Sequence, residues 1–220
     1  MMDIKEKIEF INNQIKSALG ESGRADSDVQ LLAVSKYHPA EKIYSAIEVG
    51  QRVFGENKVQ EAFSKWPEIK NKFPDIKLHL IGPLQTNKVK EAVSLFDVIE
   101  TVDRYKLVDF LAKEMNKQSR EIPCYLQVNI GCEEQKSGVM PDSLKDLYDY
   151  SIKMGLKIEG LMCIPPADED PSVYFDNLRK LAKDLGVSSL SMGMSGDFQQ
   201  AIKSGSNIVR VGTAIFGSRD

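Results

Sequence analysis

The chain has 220 residues, of which 42% are apolar and 28% are charged, and these proportions exclude a largely disordered protein. Its formal net charge of −3 indicates no basic surface for nucleic acid, and no apolar run reaches the roughly 20 residues of a membrane span. The three cysteines, Cys124, Cys132 and Cys163, lack CxxC spacing, so they are typical of free thiols in a reducing cytoplasm and predict no metal site.

A helical pattern comes first in the chain. Apolar residues at helical spacing from Ile4 to Leu19 predict a first helix, with Asp3 as a candidate N-cap and Gly20 as its stop. Eight short apolar runs follow, and each is long enough for a strand. They are Leu31–Ser35, Arg52–Gly55, Leu78–Ile81, Asp97–Thr101, Cys124–Ile130, Ile158–Ile164, Ser189–Met192 and Ile208–Gly212.

Helical spacing of apolar residues separates most of these runs. The helix after the second run is expected to end before Pro67, and the helix after the fourth run is expected to begin near Asp103 as its N-cap. Alternating strands and helices imply a parallel sheet covered by helices. Eight such units predict a single-domain α/β fold over residues 1–220, a (β/α)8 or TIM barrel.

The last predicted strand lies close to Asp220, too close for a further helix, so the first helix is expected to cover the gap beside strand eight. An open doubly wound sheet is the alternative architecture. It is the weaker one because no Gly-x-Gly-x-x-Gly follows the first strand.

Lys36 follows the first predicted strand and shares a face with Leu32 and Val34, because side chains alternate along a strand. If that face lines the barrel interior, the Lys36 ammonium reaches the end of the barrel where this fold carries its active sites. Burial there would lower its pKa, and the neutral amine could form a Schiff base. An ordinary surface lysine at a strand end is the alternative interpretation.

Two glycine-bearing loops follow the last two predicted strands. Ser195 lies between Gly193 and Gly196 in one of them, and Gly212 and Thr213 form the other. Barrels of this kind often bind phosphate between these loops, although ordinary turns and a helix cap would have the same composition. Together with a Schiff-base lysine, the loops indicate a phosphorylated aldehyde or ketone, which fits both pyridoxal phosphate and sugar phosphates.

Two polar residues are predicted to face the barrel interior. Arg210 would need a partner there, either a pyridine nitrogen that it would leave unprotonated or an acidic residue such as Glu56 or Glu100. His79 could stack on a ligand ring or donate a hydrogen bond, or it could be a core residue with all its hydrogen bonds satisfied.

An ordered set of short segments extends through most of the chain. They are Leu32–Lys36, Phe54–Asn57, Val59–Glu61, His79–Lys88, Gln127–Ile130, Gln135–Gly138, Gly160–Met162, Leu190–Ser195 and Val209–Gly217. In this order they resemble the pyridoxal phosphate homeostasis protein family, single-barrel relatives of the N-terminal domain of alanine racemase. Any one segment would be weak evidence, but the ordered set is specific.

The resemblance implies that Lys36 holds pyridoxal 5′-phosphate as a Schiff base and that Arg210 lies near the pyridine nitrogen. The phosphate would be bound by Ser195, Gly212 and Thr213. The pocket wall would include Asn57 and His79. One departure is Lys58, where the family usually has Tyr. We hypothesise that Lys58 or Lys136 captures the aldehyde transiently during transfer; two solvated lysines are the alternative.

The resemblance further implies a non-catalytic carrier that supplies pyridoxal phosphate to apoenzymes through transient contacts. A monomer is expected, because a chain without the second domain of the racemases would lack one usual dimer surface. An amino-acid racemase is the alternative, but racemisation needs acid–base groups on both faces of the cofactor. In the racemases a separate C-terminal domain supplies the second group, and this sequence of 220 residues is not expected to contain one. A class I aldolase acting on a sugar phosphate would share Lys36 and the phosphate loops.

Overall fold

A closed barrel of eight parallel strands in sequential order forms the centre of the computed structural model, which describes residues 2–217. The strands are β1 (Gln30–Val34), β2 (Val53–Glu56), β3 (Lys77–Leu80), β4 (Val98–Val102), β5 (Cys124–Val128), β6 (Ile158–Cys163), β7 (Ser189–Ser191) and β8 (Ile208–Val211). Each predicted strand is present to within two residues at either end. Direct pairing of β1 with β8, with Gln30 opposite Ile208, closes the barrel and makes the open-sheet alternative wrong.

Helices cover the outside of this barrel. They are α1 (Ile4–Glu21), α2 (Ala40–Glu48), α3 (Val59–Lys72), α4 (Val89–Leu95), α5 (Tyr105–Gln118), α6 (Leu144–Lys153), α7 (Pro171–Leu185), α8 (Phe198–Lys203) and α9 (Thr213–Phe216). Helices α2 to α8 each connect consecutive strands, as parallel pairing requires. No helix within residues 2–217 combines the length and the apolar character that crossing a bilayer requires.

Helix α1 covers the side of the barrel beside the β1–β8 pair, as predicted. It packs against α2, α8 and α9, and buries Ile8, Ile11 and Ile15. Its first turn is closed by a capping box, in which Asp3 accepts from the Glu6 N–H at 2.8 Å and the Glu6 carboxylate accepts from the Asp3 N–H at 2.9 Å.

Four details of the predicted helices are wrong. α1 continues through Gly20 to Glu21, because the chain turns only afterwards, at Gly23 with a φ of +67°. A helix does follow β8, since α9 makes a single turn there. α5 begins after Arg104, and Asp103 is not its N-cap because the Asp103 carboxylate pairs with the Arg104 guanidinium at 2.5 Å.

The fourth detail concerns α3, which continues through Pro67 to Lys72 instead of ending before the proline. Proline removes one intrahelical hydrogen bond. Trp66 and Ile69, which lie on either side of it, are both fully buried against the barrel. Their burial offsets the lost hydrogen bond and extends the helix past the proline.

Side chains alternate between two apolar layers. The outward-facing residues of the strands pack against the helices in the larger core, where Phe54 lies 5.2 Å from Trp66 between ring centroids. A smaller cluster fills the barrel, and its members are Leu32, Val34, Val53, Ile81, Tyr125, Met162 and Ile208. The alternation therefore decides which strand residues can reach the interior.

Candidate ligand-binding site at the carboxyl ends of the strands

A cavity of about 300 Å³ opens at the carboxyl ends of β1 and β8, the end where this fold carries its active sites. Its volume is at the lower limit of ordinary small-ligand sites. Six of the seven predicted site residues line it: Lys36, Asn57, Ser195, Arg210, Gly212 and Thr213. Five of these residues follow the ends of four different strands, and Arg210 lies within β8 itself.

Lys36 lies two residues beyond the end of β1 and lines the cavity beside Val34. Leu32 and Val34 both belong to the cluster inside the barrel, so the predicted alternation along this strand is confirmed. The intervening Ser35 faces the opposite way, and its hydroxyl donates to Glu56 Oε1 at 2.7 Å. Local strand geometry therefore directs Lys36 into the cavity.

The loop that carries Ser195 is a tight turn before α8. The Met194 N–H donates to Asp197 Oδ1 at 2.5 Å, and the Asp197 N–H donates to the Met194 carbonyl at 3.1 Å. These bonds hold Ser195 against the cavity. Gly193 has a φ of +94°, and a Cβ there would lie 2.6 Å from the Ala201 Cβ, so this close approach to α8 requires glycine.

Gly212 begins the second loop. Its carbonyl accepts the N–H groups of Ile215 and Phe216, both at 2.9 Å, which starts α9 immediately after β8. A Cβ on Gly212 would lie 3.2 Å from the Val34 carbonyl oxygen, so the absence of a side chain allows this loop to lie against the end of β1. Thr213 then presents its side chain at the same cavity.

The lining of the cavity suits an anion. Among its described residues two are cationic, Lys36 and Arg210, and none is acidic. The hydroxyls of Ser195 and Thr213 can donate hydrogen bonds to phosphate oxygens, and Gly212 leaves its backbone accessible. An amine, two hydroxyl-bearing loops and a guanidinium in one cavity fit a phosphorylated aromatic aldehyde such as pyridoxal phosphate.

A chain of polar side chains crosses the barrel interior beneath this cavity. Arg210 Nη1 donates to Ser191 Oγ at 2.8 Å, and its Nη2 donates to the Cys163 carbonyl at 2.7 Å. The Ser191 hydroxyl donates to Glu100 Oε2 at 2.5 Å, and Glu100 Oε1 lies 2.6 Å from His79 Nδ1. All four side chains are buried, and hydrogen bonds link them to one another and to the Cys163 carbonyl.

This network shows which partners Arg210 and His79 have within the chain. The acidic group associated with Arg210 is Glu100, reached through the Ser191 hydroxyl, whereas Glu56 pairs with Lys65 at 2.8 Å. His79 faces inward as predicted but lies below the lining of the cavity, where its contact is Glu100. A direct role for His79 toward a ligand stays a prediction.

Two opposing effects set the pKa of Glu100. Complete burial by itself would raise it, but the hydrogen bond and charge of His79, the charge of Arg210 and the Ser191 hydrogen bond together lower it below the usual glutamate value. The Glu100 carboxylate is therefore held in its ionised form.

We expect the stabilisation that Glu100 provides to be present above the ordinary glutamate pKa of 4.5 and lost as the pH falls through its lower pKa in the folded chain. Between these two values the unfolded chain binds more protons, so the free energy of unfolding rises with pH. Urea denaturation of the wild type and Glu100→Gln from about pH 3 to 7 measures this. The difference between them should shrink towards acid, and a constant difference would contradict the prediction.

The two remaining lysines of interest both have partners. Lys58 Nζ lies 5.5 Å from the centroid of the Tyr37 ring at the mouth of the cavity. Lys136 pairs with Glu133 and lines an adjoining cavity of about 270 Å³, which shares Asn57 with the first. The hypothesis that either lysine captures an aldehyde stays a prediction.

The chain is similar to known proteins along nearly its full length. Residues 16–220 match the family model described as alanine racemase, N-terminal domain. The pyridoxal phosphate homeostasis protein of Vibrio cholerae serotype O1 is 42% identical over 231 aligned residues, which cover 100% of this chain and 98% of that protein.

Two solved structures of PipY from Synechococcus elongatus PCC7942 share the fold. The structure without PLP has a TM-score of 0.88 and 35% identity, and covers 98% of this chain and 100% of that one. The structure with PLP bound has a TM-score of 0.82 and 36% identity, and covers 92% of this chain and 100% of that one. Each likeness therefore extends over more than nine-tenths of this chain.

Proposed function

The chain belongs to the pyridoxal phosphate homeostasis protein family, and on that basis we propose that residues 1–220 form one domain that binds pyridoxal 5′-phosphate as a Schiff base on Lys36. The protein takes part in intracellular vitamin B6 homeostasis by holding the reactive aldehyde and supplying it to apoenzymes through transient contacts. It acts as a cytoplasmic monomer and catalyses no reaction itself.

One observation carries this proposal: the Lys36 amine and the two hydroxyl-bearing loops line the same cavity. Ser195, Gly212 and Thr213 bind the phosphate, which places the rest of the ligand between the loops and Lys36. Asn57 provides part of the wall from the end of β2. Bound here, pyridoxal phosphate supplies an aldehyde that reacts with amines.

Arg210 supports a carrier over a catalyst. A guanidinium has no acceptor atom and keeps its proton, so it can only donate to a pyridine nitrogen. Ser191 and Cys163 already fix its orientation by hydrogen bonds of 2.8 and 2.7 Å. An unprotonated pyridine withdraws electrons weakly, which disfavours stabilisation of a carbanion and hence racemisation.

The experiment begins with the purified wild-type chain and added pyridoxal phosphate. We expect visible absorption, and after borohydride reduction and peptide mapping the modification should lie on Lys36. A chain that binds no added pyridoxal phosphate would overturn the proposal, and modification of a different lysine would overturn the assignment of Lys36. If borohydride instead trapped an added sugar phosphate on Lys36, the result would indicate an aldolase.

An amino-acid racemase is the second candidate function, favoured by the match to the alanine racemase N-terminal domain. The same protein preparation should be incubated with L-alanine and analysed by chiral chromatography. Formation of D-alanine that disappears in Lys36→Ala would replace the carrier by the racemase. No turnover, together with a Schiff base on Lys36, is the expected result.

A further inference from the structure

A buried cluster of charged side chains lies directly behind Lys36, on the outer side of β1 and β2. Lys65 of α3 has only 9% of its side chain exposed, and its Nζ lies 2.8 Å from Glu56 Oε1 and 3.1 Å from Glu61 Oε1. Glu56 is fully buried and is held in turn by the indole N–H of Trp66 at 3.0 Å. Burial of this kind requires close pairing, because an isolated charge would be costly here.

This cluster binds the backbone on both sides of Lys36. Lys65 Nζ donates to the Ser35 carbonyl at 3.1 Å and to the His38 carbonyl at 3.2 Å. Glu61 Oε1 accepts the Tyr37 N–H at 2.5 Å. Two side chains of α3 therefore fix three main-chain groups within the four residues that contain Lys36.

The segment needs such support for two reasons. It lies between the end of β1 at Val34 and the start of α2 at Ala40, where the β1–β2 ladder reaches only as far as the Ser35 N–H, which donates to the Gly55 carbonyl at 3.1 Å. Tyr37 also has a φ of +65°, in the left-handed region that residues with a side chain rarely adopt. Without its contacts this segment would relax, and Lys36 would move with it.

We infer that Lys65, together with Glu56 and Glu61, is a positioning residue. It fixes the backbone at Lys36 so that the Lys36 amine can reach the aldehyde carbon of a ligand whose phosphate is bound by the two loops. This inference rests on the proposed function. The linkage forms when the amine adds to the aldehyde carbon and one water molecule leaves. Lys65 touches neither reacting group and acts only through the geometry of residues 35–38.

Titration with two ligands distinguishes a positioning role of Lys65 from a purely structural one. Pyridoxal 5′-phosphate can bond to Lys36, whereas pyridoxine 5′-phosphate has the same phosphate and ring but an alcohol in place of the aldehyde. We expect Lys65→Met to weaken binding of pyridoxal phosphate about tenfold and to reduce visible absorption at saturation. Affinity for pyridoxine 5′-phosphate should change by less than about twofold.

Lys70→Met is the matched control on the same helix. Lys70 Nζ bonds Asp97 at 2.7 Å and the Leu95 carbonyl at 3.0 Å, at the opposite end of the barrel. It should leave both affinities unchanged. If Lys65→Met does not fold, Glu61→Ala, which removes the acceptor for the Tyr37 N–H and one of the two carboxylates paired with Lys65, should shift the two affinities in the same selective way.

An equal loss of affinity for both ligands, or no loss for either, would overturn the positioning role. Lys36→Ala gives the affinity for pyridoxal phosphate without a covalent bond. If the wild type binds pyridoxal phosphate no more tightly than Lys36→Ala does, or binds neither ligand, it is the proposed function that fails, for a reason separate from the role of Lys65. The two failures are therefore distinguishable in one set of titrations.

Discussion

Lys36→Ala is expected to abolish the visible absorption of the pyridoxal phosphate complex and to weaken binding about 100-fold or more, a loss of about 2.7 kcal/mol or more in binding free energy. The variant lacks the amine that forms the Schiff base, but Ser195 and Thr213 still line the cavity and can bind the phosphate. Some non-covalent affinity should therefore remain. A spectrophotometric titration, followed by borohydride reduction and mass measurement, checks both expectations.

Lys58→Ala is the matched control for this experiment, because Lys58 Nζ lies 5.5 Å from the ring centroid of Tyr37, a residue that lines the cavity. It should retain the visible absorption and the reducible linkage. If Lys36→Ala kept the absorption, and borohydride reduction still attached the ligand to the chain, another lysine would hold the ligand. The assignment of Lys36 would then be wrong, although binding of pyridoxal phosphate would stand.

Glu100→Ala is expected to lower the free energy of unfolding by about 3–5 kcal/mol, the usual cost of removing one partner from a buried charge network. Arg210 is only 4% exposed, so without Glu100 its guanidinium would remain buried with no counter-charge in this network. Ser191 and His79 would also lose their common acceptor. Urea denaturation at neutral pH measures the loss.

The double variant Glu100→Ala/Arg210→Met tests the cause of this loss. Removing both charges should recover part of the stability, because no uncompensated guanidinium is left in the barrel. If the loss of unfolding free energy in the double variant equalled the sum of the losses in the two single variants, a coupled network would be contradicted. Leu80→Ala provides a control of similar burial without charge, since its loss should not depend on Arg210.

The barrel could be predicted because each strand is a short apolar run and each crossover has helical spacing, signals that depend on local sequence. The helix ends were harder, because they depend on which partner a side chain finds. Asp103 has a suitable side chain for an N-cap, yet Arg104 competes for it. α9 has four residues, which is too short to show any periodicity.

The candidate site also contains residues that local sequence predicts and residues that only tertiary contacts identify. Alternation along the strands is enough to direct Lys36 and Arg210 inward, so both were predictable. Ser191 was missed because a serine in a three-residue strand carries no distinctive pattern. Its role depends on Glu100, which is distant in sequence and adjacent only in the closed barrel.

Lys65 was also missed, although the sequence contains a signal for it. It lies three residues after Ala62 and four before Ile69, both fully buried, so helical spacing places it on the buried face of α3. A lysine on an apolar face indicates a buried ion pair. The identity of its partners required the contacts of α3 with β1 and β2.

The pairing of β1 with β8 joins the two strands that are farthest apart in sequence, and the candidate site lies across that seam. Closing such a long loop carries the largest entropy cost of any strand pair in the barrel. Lys36 lies on one side of the seam, and Gly212 and Thr213 lie on the other. A ligand bound to both sides would bind only the closed barrel, so by mass action it would also stabilise the chain against opening at the joint that closes its longest loop.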